Sequence, residues 1–208
     1  HERQDHLINS IKFYENFFLN IQVLDSSIKK NEKINLPIDY QHCQNLSLTE
    51  KVIYGLSIIK TEFVIISSDD DYFMPMSIKD GIRFLQENLE FTSLAGKYFS
   101  FERVSIFKKF NLMYKNNYKS IVYQHPIERL ESICTKPTSQ MTYNLFRTKI
   151  IYQALNEFKN FKQANFLEDS ITLSNILFGK HKFLDVNWMI RDGSVNTIYG
   201  KQNNVEGL

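Results

Sequence analysis

The chain has 208 residues, with 25 Lys and Arg against 23 Asp and Glu, 43% hydrophobic and 23% charged residues. These are the values of an ordinary globular chain of one domain, and a net charge of +2 argues against a nucleic-acid binder, which carries a basic stripe and a high pI. No apolar run reaches the roughly 18 residues of a membrane span. Cys43 and Cys134 stand too far apart for a metal or disulfide framework. The chain opens His1-Glu2-Arg3, with neither Met nor a signal peptide, and so reads as a segment of something longer.

Taken in order, Leu7 to Phe18 reads as a helix, because Leu7, Ile11, Tyr14 and Phe18 recur at three- and four-residue steps. Ile21 to Leu24 is a short strand that ends on the turn cluster Asp25-Ser26-Ser27. Ile38 to His42 is a second short strand. Leu48 to Ile59 is a helix, with Ser47 or Thr49 as N-cap and Glu50 in its first turn. Phe63 to Ile66 is a continuous apolar run, the pattern of a strand covered on both faces. Ser67-Ser68-Asp69-Asp70-Asp71 follows at once. Ser77 to Leu89 is a helix and Phe91 to Ala95 a strand. Residues 97 to 140 show no clean period. Met141 to Phe146 and Lys182 to Val186 read as strands, and Thr148 to Phe158 and Glu168 to Leu177 as helices. Alternating strands and helices imply an α/β layer with a mainly parallel sheet. Ligands in such sheets sit beyond the C-terminal ends of the strands, which directs attention to Asp25 and to Asp69, Asp70 and Asp71.

Three consecutive aspartates repel one another, and a compensating cation relieves the repulsion. A divalent metal serves, since Mg²⁺ takes one or two protein carboxylates and completes its octahedron with phosphate and water. The other reading of the triplet is a solvated acidic turn. Glu168-Asp169 is either the stabilised start of a helix or a source of a general base. Asp25 is either a turn-forming residue whose side chain bonds its own backbone or a ligand-facing carboxylate. His1, His6, His42, His125 and His181 show no metal-ligand spacing. Neither Gly-x-Gly-x-x-Gly, a P-loop nor Gly-x-Ser-x-Gly occurs, which sets aside standard dinucleotide enzymes, NTPases and serine hydrolases of that type.

Together, Ile21 to Ser27 (IQVLDSS), Gly55 to Asp71 (GLSIIKTEFVIISSDDD) and Phe166 to Asp169 (FLED) resemble a nucleotide-sugar glycosyltransferase of the GT-A fold, family 2 type. Asp169 stands 100 residues after Asp69, the order of separation seen in that family between its DxD-type motif and its acidic pair. The resemblance covers about residues 1 to 190. It implies a Rossmann-like three-layer sandwich whose first strand would precede His1. The nucleotide-binding half would be about residues 1 to 96 and the acceptor half about 97 to 208. It implies Asp25 on the donor nucleobase, and Asp69, Asp70, Arg3 and Arg191 around the nucleotide sugar. Asp71 and Asp69 would hold Mg²⁺ or Mn²⁺. Asp169 would be the base of an inverting transfer, with Glu168 beside it. The donor implied is a UDP-type nucleotide sugar, and the acceptor is a glycan or a lipid-linked sugar of a bacterial surface glycan such as capsule or lipopolysaccharide. The setting implied is cytoplasmic, with peripheral membrane association through the rest of the chain. The Gln-x-x-Arg-Trp motif of processive relatives is absent, which favours transfer of single sugars. Two rival readings stand beside this one: a nucleotidyltransferase, and an inactive sugar-nucleotide-binding or interaction module. Within residues 97 to 140, Tyr98, Phe99, Arg103, Lys108, Lys109 and Tyr114 suit a sugar or an anionic acceptor, or equally a plain core and surface.

Overall fold

A computed structural model describes residues 4–17, 19–30, 38–104, 107–115, 117–136, 141–160 and 164–193. Helix α1 (Gln4–Tyr14) leads to strands β1 (Gln22–Asp25) and β2 (Asp39–His42), which pair in parallel as a separate two-stranded sheet. Helix α2 (Leu48–Ile58) begins at Ser47 because of a full capping box. The Ser47 hydroxyl accepts from the Glu50 N–H, and the Glu50 carboxylate accepts from the Ser47 N–H.

The main sheet holds β3 (Phe63–Ile65), β4 (Asp71–Phe73), β5 (Phe91–Val104), β6 (Phe107–Leu112), β7 (Leu145–Arg147) and β8 (Lys180–Asp192). Its order is β3-β7-β5-β8-β4, with β6 paired to β5 beyond that path. The α/β sandwich expected from the sequence is what forms, but the sheet is mixed. Only β5 and β8 pair in parallel, and the β3–β7, β5–β7, β4–β8 and β5–β6 ladders are antiparallel. The short strands β4 and β7 run antiparallel to their neighbours in the sheet.

Helices fill the two faces. α3 (Pro75–Glu87) starts with Pro at its first position, where no N–H is needed, and buries Ile78 and Leu85 against Leu94, Tyr98, Leu145, Trp188 and Met189. On the other face α2, α5 (Thr148–Glu157) and α6 (Ala164–Phe178) bury Val52, Leu56, Ile151, Leu155, Leu167 and Ile171 around Phe146. α4 (Pro126–Thr135) packs on α6 through Arg129, whose guanidinium donates to the carbonyls of Tyr123, Gln124, Ile176 and Leu177.

The structure departs from the local reading in four places. Phe63–Ile65 is an edge strand, half-buried rather than covered on both faces. The region from 97 onward continues β5 and turns back through β6, so its lack of period reflects a long bent strand. That bend falls at Gly96, where a Cβ would lie 2.6 Å from the Val186 carbonyl oxygen and the β5–β8 register shifts. Met141–Tyr143 is a turn of 3₁₀ helix ahead of the three-residue strand β7. Finally, α6 starts at Ala164, which places Glu168 and Asp169 inside the helix and not at its start.

Candidate functional site

The acidic triplet is split by its own geometry. Asp71 opens β4 and lies directly across the antiparallel ladder from Arg191 on β8. Cross-strand partners present side chains on the same face. Here they meet as a two-point pair, with Arg191 Nε donating to Asp71 Oδ1 at 2.7 Å and Nη2 to Oδ2 at 3.2 Å. Asp71 is 0% exposed. Burial pushes its carboxyl above the usual value even with the guanidinium beside it. Burial also works against the charge on Arg191, but the Asp71 carboxylate outweighs it and holds the guanidinium charged. The guanidinium lies 4.6 Å from the centre of the Tyr143 ring, a cation–π contact. Burial pushes the Tyr143 hydroxyl up to about 12.

Neighbouring elements hold this pair in place. The indole Nε1 of Trp188 donates to the Tyr143 carbonyl at 2.9 Å, fixing the ring beneath Arg191. β4 closes one end of the sheet path, so the outer side of its backbone has no strand to bond. The buried Tyr14 hydroxyl from α1 fills that place, accepting from the Phe73 N–H at 2.6 Å and donating to the Asp71 carbonyl at 3.3 Å. Asp70 is buried and Asp69 half-buried, and the Asp70 charge acts on both Asp71 and Arg191.

A second group forms at the end of β1. Asp25 Oδ1 accepts from the Ser27 N–H at 2.8 Å, the turn expected of such a residue, and its other oxygen accepts from the Tyr40 hydroxyl. Burial raises the Asp25 carboxyl, but the bonds from Tyr40 and Ser27 prevail and hold it below its usual range. Lys51 of α2 donates to the Ser26 hydroxyl at 2.9 Å. Burial pulls Lys51 down, while Asp25, Cys43 and Asp69 pull it up. Lys51 thus feels the charge of both Asp25 and Asp69. Sequence reasoning passed over it, although a signal was present: a cation in the first turns of a helix opposes the helix dipole and calls for a reason.

α6 runs into β8, the strand that carries Arg191, through Gly179 alone. Glu168 is half-buried, and its charge acts on the hydroxyls of Tyr114 and Tyr143. Asp169, about 100° further round the helix, is exposed. Arg3 lies outside the described residues. Of the other acceptor-side residues named from the sequence, Tyr98 is wholly buried core, and Tyr114 is half-buried, packed against that core edge-on to Tyr98.

Both oxygens of Asp71 accept from Arg191, and its side chain is buried. Asp69 and Asp70 have the right chemistry for a hard cation. Among the described residues no group of three or more His, Cys, Asp or Glu is placed to hold one. The site as a whole sets the four carboxylates Asp25, Asp69, Asp70 and Asp71 against the two cations Lys51 and Arg191.

No protein-family model matches this chain, and no curated protein matches it in sequence. Among solved structures it is similar to S. aureus TarS, a glycosyltransferase. Against TarS 1–349 the TM-score is 0.62 at 14% identity, over 91% of this chain and 57% of that one. Against the same segment in complex with UDP it is 0.58 at 17%, over 90% and 56%. A longer TarS chain gives 0.62 at 14%, over 91% of this chain and 34% of that one. This chain therefore spans just over half of the shorter TarS chain and a third of the longer. No helix among the described residues is long and apolar enough to cross a membrane. The likeness to TarS is one of fold, a Rossmann-like α/β sandwich.

Proposed function

We propose that this chain is the catalytic domain of a nucleotide-sugar glycosyltransferase of family 2 type, inverting, with a UDP-type donor and a glycan or lipid-linked acceptor. The observation that carries it is the set of charges where strands β1 and β8 end: Lys51 feels both Asp25 and Asp69, and Asp71, two residues on from Asp69, pairs with Arg191. In α/β sheets that edge is where ligands bind. The fold shared with TarS, for which a UDP complex exists, supports the same reading.

The parts then take roles. Asp25 is ionised and fixed by two hydrogen bonds, so it accepts from a nucleobase N–H. Lys51 and Arg191 supply positive charge toward the diphosphate, and Arg191 is held rigid by Asp71 below and Tyr143 against its face. Four carboxylates against two cations leave negative charge that a divalent cation neutralises, and Asp69 and Asp70 would hold Mg²⁺ or Mn²⁺ there. When bound, such an ion stabilises charge on the departing diphosphate. The Glu168–Asp169 pair supplies the base. Asp169 is open to solvent, as a group must be that meets an incoming acceptor hydroxyl, while Glu168 is turned toward the tyrosines. The base takes the proton of that hydroxyl as its oxygen attacks the anomeric carbon from the face opposite the diphosphate.

The test is titration calorimetry of the full-length protein with UDP, uridine and UDP-sugars, with Mn²⁺ and with EDTA. UDP is expected to bind more tightly than uridine, and Mn²⁺ to strengthen UDP alone. Binding of none of these ligands under either condition would refute the proposal.

A further inference from the structure

A cleft of about 530 Å³ opens between the end of α2, the turn before β3 and the start of α5. Leu56, Ile59, Ile150 and Tyr152 give it apolar walls, and Thr148 and Lys149 bring the first turn of α5 to it. An α-helix leaves its first N–H groups without an intrahelical carbonyl. Here the Glu62 carbonyl takes the Thr148 N–H at 2.9 Å, and the Lys149 and Ile150 N–H groups come next. Arg147, which precedes the helix, gives no side-chain cap, and the first turn holds no acidic residue. The Arg147 guanidinium is engaged elsewhere, on the carbonyls of Leu85, Asn88 and Phe91 and on the Glu62 carboxylate. A second observation is independent of the helix end. Thr148 lines the cleft, is 7% exposed, and its hydroxyl has no hydrogen-bond partner among the described residues. A buried hydroxyl without a partner is costly until something supplies one.

We infer that this cleft binds a phosphate monoester that carries an apolar organic group. A helix N-terminus receives anions because its N–H groups point outward and the helix dipole favours negative charge. The Lys149 and Ile150 N–H groups and the Thr148 hydroxyl donate to the phosphate, and the exposed Lys149 ammonium supplies the opposite charge. The three terminal oxygens of a phosphate accept from these separate groups at once. Leu56, Ile59, Ile150 and Tyr152 cover the carbon part of the ester, which water would otherwise solvate poorly. The Glu62 carboxylate also lines the cleft, but Arg147 is paired with it at 3.3 Å, so Lys149 remains as the excess charge. The cleft adjoins the start of β3, where Phe63 pairs with Arg147, whereas the acidic triplet follows the end of that strand. The site is therefore separate from the one built on Asp25 and Arg191, and the inference stands independently of the glycosyltransferase reading.

Titration calorimetry of the full-length protein tests this, with hexyl phosphate and inorganic phosphate as probes. Hexyl phosphate is expected to bind at least tenfold more tightly than inorganic phosphate. Lys149→Glu should weaken hexyl phosphate at least tenfold and Thr148→Val at least fivefold. Both variants should fold: a carboxylate in the first turn of a helix is favoured by its dipole, and valine keeps the shape of threonine without its unpaired hydroxyl. A melting temperature within a few degrees of wild type checks this, and UDP affinity should stay within twofold of wild type. Vesicles of phosphatidic acid distinguish two sources of the ester. Binding to them beside hexyl phosphate indicates a lipid headgroup, and hexyl phosphate without vesicles indicates a soluble ester; either supports the inference. No binding of hexyl phosphate by wild type, equal affinity for inorganic phosphate, or binding retained within twofold in either variant would each overturn it. A loss of UDP affinity in Lys149→Glu would also overturn it, by placing the nucleotide in this cleft.

Discussion

Asp71 and Arg191, 120 residues apart in the chain, face each other across the β4–β8 ladder and are joined by two hydrogen bonds. The pair ties one of three clustered aspartates to a cation on the neighbouring strand.

Breaking this pair from one side leaves a buried charge without a partner, at a cost of about 3–5 kcal/mol. Arg191→Ala is expected to lose that much in urea unfolding at pH 7. Asp71→Asn/Arg191→Gln, which removes both charges, should recover a large part of it. A double variant less stable than Arg191→Ala would show that the two side chains do not act as one unit.

If Asp69 and Asp70 hold a cation and Asp71 does not, metal response follows the first two. In UDP titrations Asp70→Asn is expected to abolish at least tenfold of strengthening by Mn²⁺. Asp71→Asn should keep the Mn²⁺ effect and show its defect as lower stability. Loss of the metal response in Asp71→Asn with normal stability would return the ligand role to that residue.

Neutralising a general base suppresses turnover by about 10²–10⁴-fold. Asp169→Asn is expected to fall in that range, measured as UDP release from a UDP-sugar, with UDP affinity unchanged. Glu168→Gln should act more weakly. The reverse order would give the proton to Glu168, the member of the pair already turned toward Tyr114 and Tyr143.

His181 is 2% exposed, with Nδ1 3.0 Å from the Ser93 hydroxyl and 3.3 Å from the Asn144 amide nitrogen. Burial holds its imidazole down at about 3. The folded state thus keeps it neutral at pH values where the unfolded chain, with an ordinary value of about 6.5, takes up a proton. A group with a depressed folded value contributes stability above the unfolded value and loses it as pH falls toward the folded one. Between pH 7 and pH 5 the loss amounts to roughly 2 kcal/mol. His181→Gln is expected to flatten that part of the stability–pH curve in urea melts. An unchanged acid slope would show that other groups control it.

Several elements were legible in the sequence because their signals are local. Ser47 and Glu50 set the start of α2 by bonding each other's backbone, and β1 falls where a short apolar run meets turn residues. Asp25 and the Asp69–Asp71 triplet were visible for a related reason: carboxylates placed just after strands need no alignment to be noticed. Tertiary structure decided the rest. β5 and β8 reach 14 and 13 residues because they pair with each other over a long parallel ladder, and neither has a period that reveals such length. Strand pairing decided which aspartate met Arg191, since register is a relation between segments and not a property of either. Lys51 came under the charge of Asp25 and Asp69 only when α2 packed against β1. The chain therefore carried its charges and helix starts in its own order of residues. Their pairing came from packing, which brings together groups far apart along the backbone and removes the water that would otherwise screen them.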